Sequence, residues 1–348
     1  MNLLRLVAMV LLSAGLISNS LMPVLAASGP ELAQTPGYTN PVYRHNAPDP
    51  SVIRSADGTF YAFTTQSFYD NTKVNIPILQ SSDLFEWSLV GDAFPVLPDW
   101  ALRGEDADTW APHVLRHDGK YYLYFAARSA RTRTMGIGVA TAEHPEGPWT
   151  AKRRPLMTGP RYTTIDPFVL RTKGGKLFIY WGSAGEPLRM QQLAPDGFSL
   201  VGESTEVLYP SRRAYEGLIE ASWIVHRKDH YYLFYSGDRC CYAKAHYAVL
   251  VARSTSRGGP FKKYRGNPIV EANEEFKAPG HISTIPDAAG VCWMLYHAMD
   301  ANEDSGFRYL MLDRIGWRDG WPRINGGNGP SSTARVTPDV SEDTARTC

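Results

Sequence analysis

Beyond its first residues the chain has no run approaching the roughly 18 consecutive apolar side chains that a membrane-spanning helix needs, and no long segment with helical periodicity. A surplus of one charge is also missing. The 36 Lys and Arg residues are balanced by 35 Asp and Glu, for a formal net charge of +1, which leaves no field to hold nucleic acid or an anionic membrane surface. The expected partner is therefore neutral or mixed in charge. Cysteine is scarce, four residues in all, and no C-x-x-C pair is present, which argues against a zinc site. Adjacent Cys240 and Cys241 are expected not to bond each other, because the link strains the backbone, and a bridge from one of them to Cys292 is the preferred pairing.

The first residues carry the one apolar run, Leu6 to Leu16, preceded by Arg5 and followed by the small-residue end Ala26 and Ala27. This order is that of a secretory signal. Residues 1–27 are accordingly expected to be removed on export, placing the protein outside the cell or in the periplasm, with no membrane attachment afterwards. Residues 28–332 would form the working domain and residues 333–348 a Gly, Ser, Thr and Pro-rich tail, frayed near Cys348.

What the chain does have is repetition. One segment is written five times: "DPSVIRSADGTFYAFTT" from Asp49, "APHVLRHDGKYYLYFAA" from Ala111, "DPFVLRTKGGKLFIYWG" from Asp166, "EASWIVHRKDHYYLFYS" from Glu220 and "HISTIPDAAGVCWMLYH" from His281. Each copy is an apolar strand, a polar turn such as Asp57-Gly58 or Asp118-Gly119, and an aromatic-rich second strand. Between copies lies a looser strand-turn-strand pattern, as in "ILQSSDLFEWSLVG" and "YLMLDRIGWRDGWPRI". Two hairpins per repeat make a four-stranded unit, and five such units predict an all-β fold, a five-bladed β-propeller, in preference to a β-sandwich.

In a propeller the first strand of each blade lines the axis, so equivalent positions at its start converge. Those positions hold Asp49, Ala111, Asp166, Glu220 and His281, four of the five being ionisable. A single Asp-Pro is ordinarily a turn. Three carboxyls around one axis repel one another, a cost that a structural ring of acids has no reason to bear. Hydrolysis of a glycosidic bond needs a protonated carboxyl for the leaving oxygen and an ionised one on the other side of the sugar, and three crowded acids can supply that split.

These segments, "NAPDPSVIR", "DTWAPHVL", "IDPFVL", "LIEASWIV" and "APGHISTI", resemble the blade-initiating motifs of glycoside hydrolase family 43, over about Asn40 to Ser332. The family comprises five-bladed arabinanases, arabinofuranosidases and β-xylosidases. The resemblance implies Asp49 as the general base, Asp166 as the residue that tunes and orients the acid, and Glu220 as the general acid. It implies inversion, with base and acid roughly 6.5 to 9.5 Å apart. Glu216 in "YEGLIEAS" is the rival acid, and repeat register favours Glu220. Ala221 and Ser222 depart from the residues that usually follow the acid. His281 matches a histidine that in arabinan-active members sits beside a hydrated calcium ion on the axis; a histidine bonded to water or a carboxylate is the alternative. Trp110 is expected to offer a ring face to the sugar and Arg308 to reach it. The character of the motifs points to α-L-arabinofuranosyl linkages of plant cell-wall polysaccharide, cleaved by a monomer that needs no cofactor for the chemistry, with exo or endo action open. A β-xylosidase on the same site, or a glycan-binding propeller without catalysis, are the rival readings.

Overall fold

The computed structural model describes residues 37–341, apart from 243 and 335, together with residue 348. The expected signal segment lies outside the described residues. Among the described residues five antiparallel sheets account for almost all of the regular structure, and the one helical element is a short 3-10 turn, Asn325–Gly327. No helix among the described residues is long and apolar enough to cross a membrane.

Each sheet is one predicted repeat. The first blade pairs Ser51–Arg54, Phe60–Phe63, Pro77–Ser81 and Ser88–Asp92 in that order. The second uses Thr109–His117, Lys120–Arg128, Met135–Ala142 and Thr150–Ala151, with Met157–Thr158 also pairing with the third strand. The third runs Phe168–Arg171, Leu177–Trp181, Leu188–Leu193 and Leu200–Leu208. Ile219–Arg227, His230–Arg239, His246–Ser254 and Lys262–Lys263 make the fourth. The fifth is Phe276–Pro286, Cys292–Asp300, Tyr309–Arg318 and Trp321–Ile324.

A sheet buried on both faces needs apolar residues on both, which explains why the second strands read as near-continuous runs such as Phe60–Phe63 and Leu177–Trp181, buried throughout. The apolar side chains gather at the boundaries between neighbouring blades. Tyr61, Phe63 and Ile78 of blade 1 meet Val114, Leu123 and Phe125 of blade 2. Corresponding clusters join blades 2 and 3, blades 3 and 4, and blades 4 and 5. Val52, Phe60 and Leu79 of blade 1 pack on Trp293, Leu295 and Leu312 of blade 5, completing the circle. The ends of the described chain help to close it. Tyr38–Thr39 pairs with Thr333–Ala334, and the Asn40 side chain donates to the Leu312 carbonyl and accepts from its N–H, each at 2.9 Å.

The disulfide expectation is corrected. Cys240 is joined to Cys241, and Cys292 to Cys348. The preferred link from the Cys240–Cys241 pair to Cys292 fails for a topological reason. Cys240 follows the second strand of blade 4 at its axis-entry end, whereas Cys292 begins the second strand of blade 5 at the opposite end, about 25 Å of strand away. Cys348 is thus tied down rather than frayed, and Val340 before it accepts a 2.7 Å hydrogen bond from Arg54.

Candidate active site

The backbone explains how five strands aim side chains at one point. Asp49, Ala111, Asp166, Ala221 and His281 all have left-handed conformations, with φ of 56°, 46°, 58°, 60° and 48°. Each stands two residues before a paired position on the first strand: Ser51, His113, Phe168, Trp223 and Ser283. In blades 2, 4 and 5 the ladder is irregular at this point. Such bulges bend a strand and re-aim a side chain, and the left-handed conformation costs roughly 1 kcal/mol or more wherever a Cβ is present.

This geometry corrects the register of the fourth repeat by one residue. The equivalent of Asp49, Asp166 and His281 is Ala221, and Glu220 sits at the preceding position, the one held by Trp110 in blade 2 and Gly280 in blade 5. Glu220 nevertheless joins the cluster. The Ala221 N–H donates to Asp166 Oδ2 at 3.0 Å, which draws the start of blade 4 onto the acid of blade 3.

Asp49, Asp166, Glu220 and His281 are all buried, at 6 to 8% exposure, so each must be paired, and each is. Asp49 Oδ1 accepts from Arg308 at 2.9 Å and lies 3.4 Å from His281 Nδ1 and 3.3 Å from His297 Nδ1. Its Oδ2 accepts from the Thr65 hydroxyl at 2.6 Å. Burial raises the Asp49 pKa, but Arg308, His281 and His297 outweigh it and hold the carboxyl well below the usual range. Asp166 has no arginine in contact with it. Burial first, then the charges of Glu220 and Asp49, raise it to about 8 against the pull of His281, 3.9 Å away.

Glu220 accepts hydrogen bonds from Ser183 at Oε2 and from Tyr247 at Oε1, the latter at 2.8 Å. Burial pushes its pKa up, beyond what these two donors and His281 withdraw. The proton affinity of one carboxyl is thus driven down and that of another driven up around the same axis, the division that acid and base chemistry on a glycosidic bond requires.

Glu216, the rival, is elsewhere engaged. It accepts from Lys263 at 2.7 Å and Tyr235 at 3.1 Å, and also from Ser211. Despite burial these partners lower its pKa, which makes it an anchor of the chain entering blade 4.

His281 donates its backbone N–H to Ser236 Oγ at 2.9 Å. Burial lowers the pKa of its ring, but Asp166 and Asp49 outweigh burial and raise it. Among the described residues no group of three or more His, Cys, Asp or Glu side chains is arranged to hold a metal ion. Both oxygens of Asp49 and the Nδ1 of His281 already have protein partners, whereas calcium takes six to eight oxygen ligands. These residues do not form a direct calcium cage, so an ion beside His281 would be held through water.

Arg308 is held by Asp49 through Nη1 and by its own backbone N–H, which donates to Asn46 at 3.0 Å, so its guanidinium stands beside the buried carboxylate. Trp110 is half-buried, packed on Ala126, Met135 and Ile165 and stacked on Tyr162 at 5.8 Å. Its partner ring is 45% exposed, so the pair presents an aromatic surface through Tyr162. Every exposed Phe or Tyr among the described residues, namely Phe68, Tyr162, Tyr209, Tyr242 and Phe307, lies on a connection at the end of the blades where the acids stand. Aromatic faces at a polar cleft suit carbohydrate, apolar on the ring face and polar at the rim.

Thr65, Ser183, Ser236, His297 and Tyr247 were not anticipated. Thr65, Ser183, Ser236 and His297 fall 15 to 17 residues after the left-handed position of their own blades, a recurrence that the repeat alignment contains. Tyr247, on a third strand, left no such mark.

The chain is similar to several known proteins. An extracellular endo-α-(1→5)-L-arabinanase of Bacillus subtilis is 26% identical over 326 residues, covering 89% of this chain and 94% of that protein. An extracellular exo-α-(1→5)-L-arabinofuranosidase of Cellvibrio japonicus is 27% identical over 307 residues, 80% of this chain and 86% of that protein. A thermostable family-43 glycoside hydrolase of known structure superimposes with a TM-score of 0.74 at 23% identity, covering 86% of this chain and 99% of that one. Residues 38–322 match the model of glycosyl hydrolases family 43, and the chain belongs to that family.

Proposed function

We propose that this glycoside hydrolase cleaves α-L-arabinofuranosyl linkages of arabinan or of arabinose-containing hemicellulose, with inversion. The observation that carries the reading is the electrostatic division at the axis: the Asp49 pKa is held well below the usual range, with Arg308 and His281 beside it, while burial pushes the Glu220 pKa up. In this mechanism Asp49 takes a proton from a water molecule as its oxygen attacks the anomeric carbon. Glu220 gives its proton to the departing glycosidic oxygen, so the bond breaks without releasing an alkoxide. Asp166, on the Ala221 N–H at 3.0 Å, fixes the start of the strand that carries Glu220 and so orients the acid.

Trp110, through its stack with Tyr162, would support a sugar ring. Arg308, held on Asp49 through Nη1, would reach the sugar with its remaining donors. A water-held calcium beside His281 has no part in the proton transfers. The enzyme is further proposed to be exported with loss of residues 1–27 and to act as a monomer.

The test is parallel incubation with linear arabinan, 4-nitrophenyl α-L-arabinofuranoside and 4-nitrophenyl β-xyloside. Arabinose-containing products of inverted anomeric configuration are expected, and Asp49→Ala and Glu220→Ala should each lose at least about a hundredfold in kcat. Full activity in both variants, or turnover of the xyloside alone, overturns the assignment. Product sizes from arabinan separate exo from endo action.

A further inference from the structure

The vicinal disulfide and the tyrosine behind it have no part in the mechanism above, yet they are contiguous with it. Tyr247 is 2% exposed, and its hydroxyl donates to Glu220 Oε1 at 2.8 Å. Its ring packs with Ala278 and Met299, and Cys240 and Ala245 close over this group from the loop that carries the Cys240–Cys241 link. On the remaining side stands Gly280, where a Cβ would overlap the Tyr247 ring. The phenol is therefore confined by the loop that carries the vicinal disulfide on one side and by a glycine backbone on the other, with its one polar atom on the carboxyl.

We propose that Tyr247 is a positioning residue for Glu220, and that the Cys240–Cys241 loop is the brace that keeps it in place. The inference rests on the reading of Glu220 as the general acid. A buried carboxylic acid can rotate its proton toward either oxygen. With Oε2 taken by Ser183 and Oε1 by Tyr247, the plane of the group is fixed, and removing one donor frees it. The charged and titratable groups around Glu220 are Asp166 of blade 3, Tyr247 of its own blade, His281 of blade 5 and Asp49 of blade 1. Only Tyr247 among them donates a hydrogen bond to it, and burial with the nearby carboxylates keeps that phenol protonated. Such a donor favours the ionised acid, so its loss should carry the acid's titration upward.

The experiment compares Tyr247→Phe, the double variant Cys240→Ser/Cys241→Ser, their combination, and Glu220→Gln. Two arabinofuranosides are used, one with a poor leaving group (an alkyl alcohol) and one with a good one (2,4-dinitrophenol). Tyr247→Phe is expected to lose about tenfold in kcat on the poor leaving group and little on the good one, which needs no protonation. KM should stay unchanged, and the alkaline limb of kcat/KM should move up by about half a pH unit. The cysteine variant should shift the limb in the same direction, and the combination should shift it no further than Tyr247→Phe alone. An unaltered limb with wild-type rates, or equal losses on both substrates, overturns the role of Tyr247. Additive shifts, or a cysteine variant with a wild-type profile, overturn the brace. Glu220→Gln separates the two levels: if it keeps activity on the poor leaving group the acid assignment itself fails, whereas its inactivity beside a wild-type Tyr247→Phe removes only this proposal.

Discussion

Glu216 and Glu220 lie four residues apart in one segment and are both buried, at 1% and 8% exposure, yet their surroundings drive them in opposite directions. Glu216 has a lysine at 2.7 Å and stays ionised. Glu220 has two hydroxyl donors, no cation in contact, and acids of two other blades nearby. Burial is thus common to both, and the presence or absence of a counter-ion decides whether a buried glutamate holds the chain or holds a proton.

The largest expected effect breaks the pair by function. Glu220→Gln should lower kcat on arabinan by about a hundred- to ten-thousandfold with a near-native melting temperature. Glu216→Gln should keep most of the activity but cost about 3 kcal/mol of stability by leaving Lys263 without its charge partner, as read by denaturant unfolding. Equal activity losses in the two would erase the distinction.

A smaller effect sharpens it by pH. The folded pKa of Glu216 lies below the ordinary value of 4.5, so its contribution to stability is present above pH 4.5 and is lost as the pH falls through the folded value. The penalty of Glu216→Gln should therefore shrink in acid. Asp166, like Glu220, behaves in the opposite way. With its pKa raised from 3.8 to about 8, the stability it contributes is intact below the lower value and lost as the pH climbs toward the upper one. Asp166→Asn should melt at about the wild-type temperature near pH 4 and about 3 °C above it at pH 8. A constant difference across that range would contradict the environment described for the acid. The smallest effect concerns the axis itself: chelation should change kcat on arabinan by less than about twofold, since the residues around His281 do not form a calcium cage.

The five hairpins, their order and the convergence of Asp49, Asp166 and His281 were legible because each repeat carries its own turn and its own apolar strand. The fourth register was not. Nothing in "EASWIV" marks Ala221 rather than Glu220 as the left-handed residue; that choice is made by a bulge whose partners lie on other strands. Arg308 was found, but its bond to Asp49 was not, because that contact depends on Asn46 and Asp49, more than 250 residues away in the chain. Tyr247 was invisible for a related reason, since its value lies in the space left by Gly280. The cysteines misled because adjacency suggested strain, while the distance between opposite blade ends, decisive against the alternative, is a property of the folded sheet alone.

Blade 2 contributes no ionisable group at the left-handed position, only Ala111, but the Ala111 N–H donates to Thr65 Oγ1 at 2.8 Å, and the same hydroxyl donates to Asp49 at 2.6 Å. The hydroxyl acts as a gauge of the gap between two sheets. Any slippage of blade 2 against blade 1 lengthens the first bond and frees the Thr65 rotor, so the seating of the base is tied to a packing boundary between two sheets.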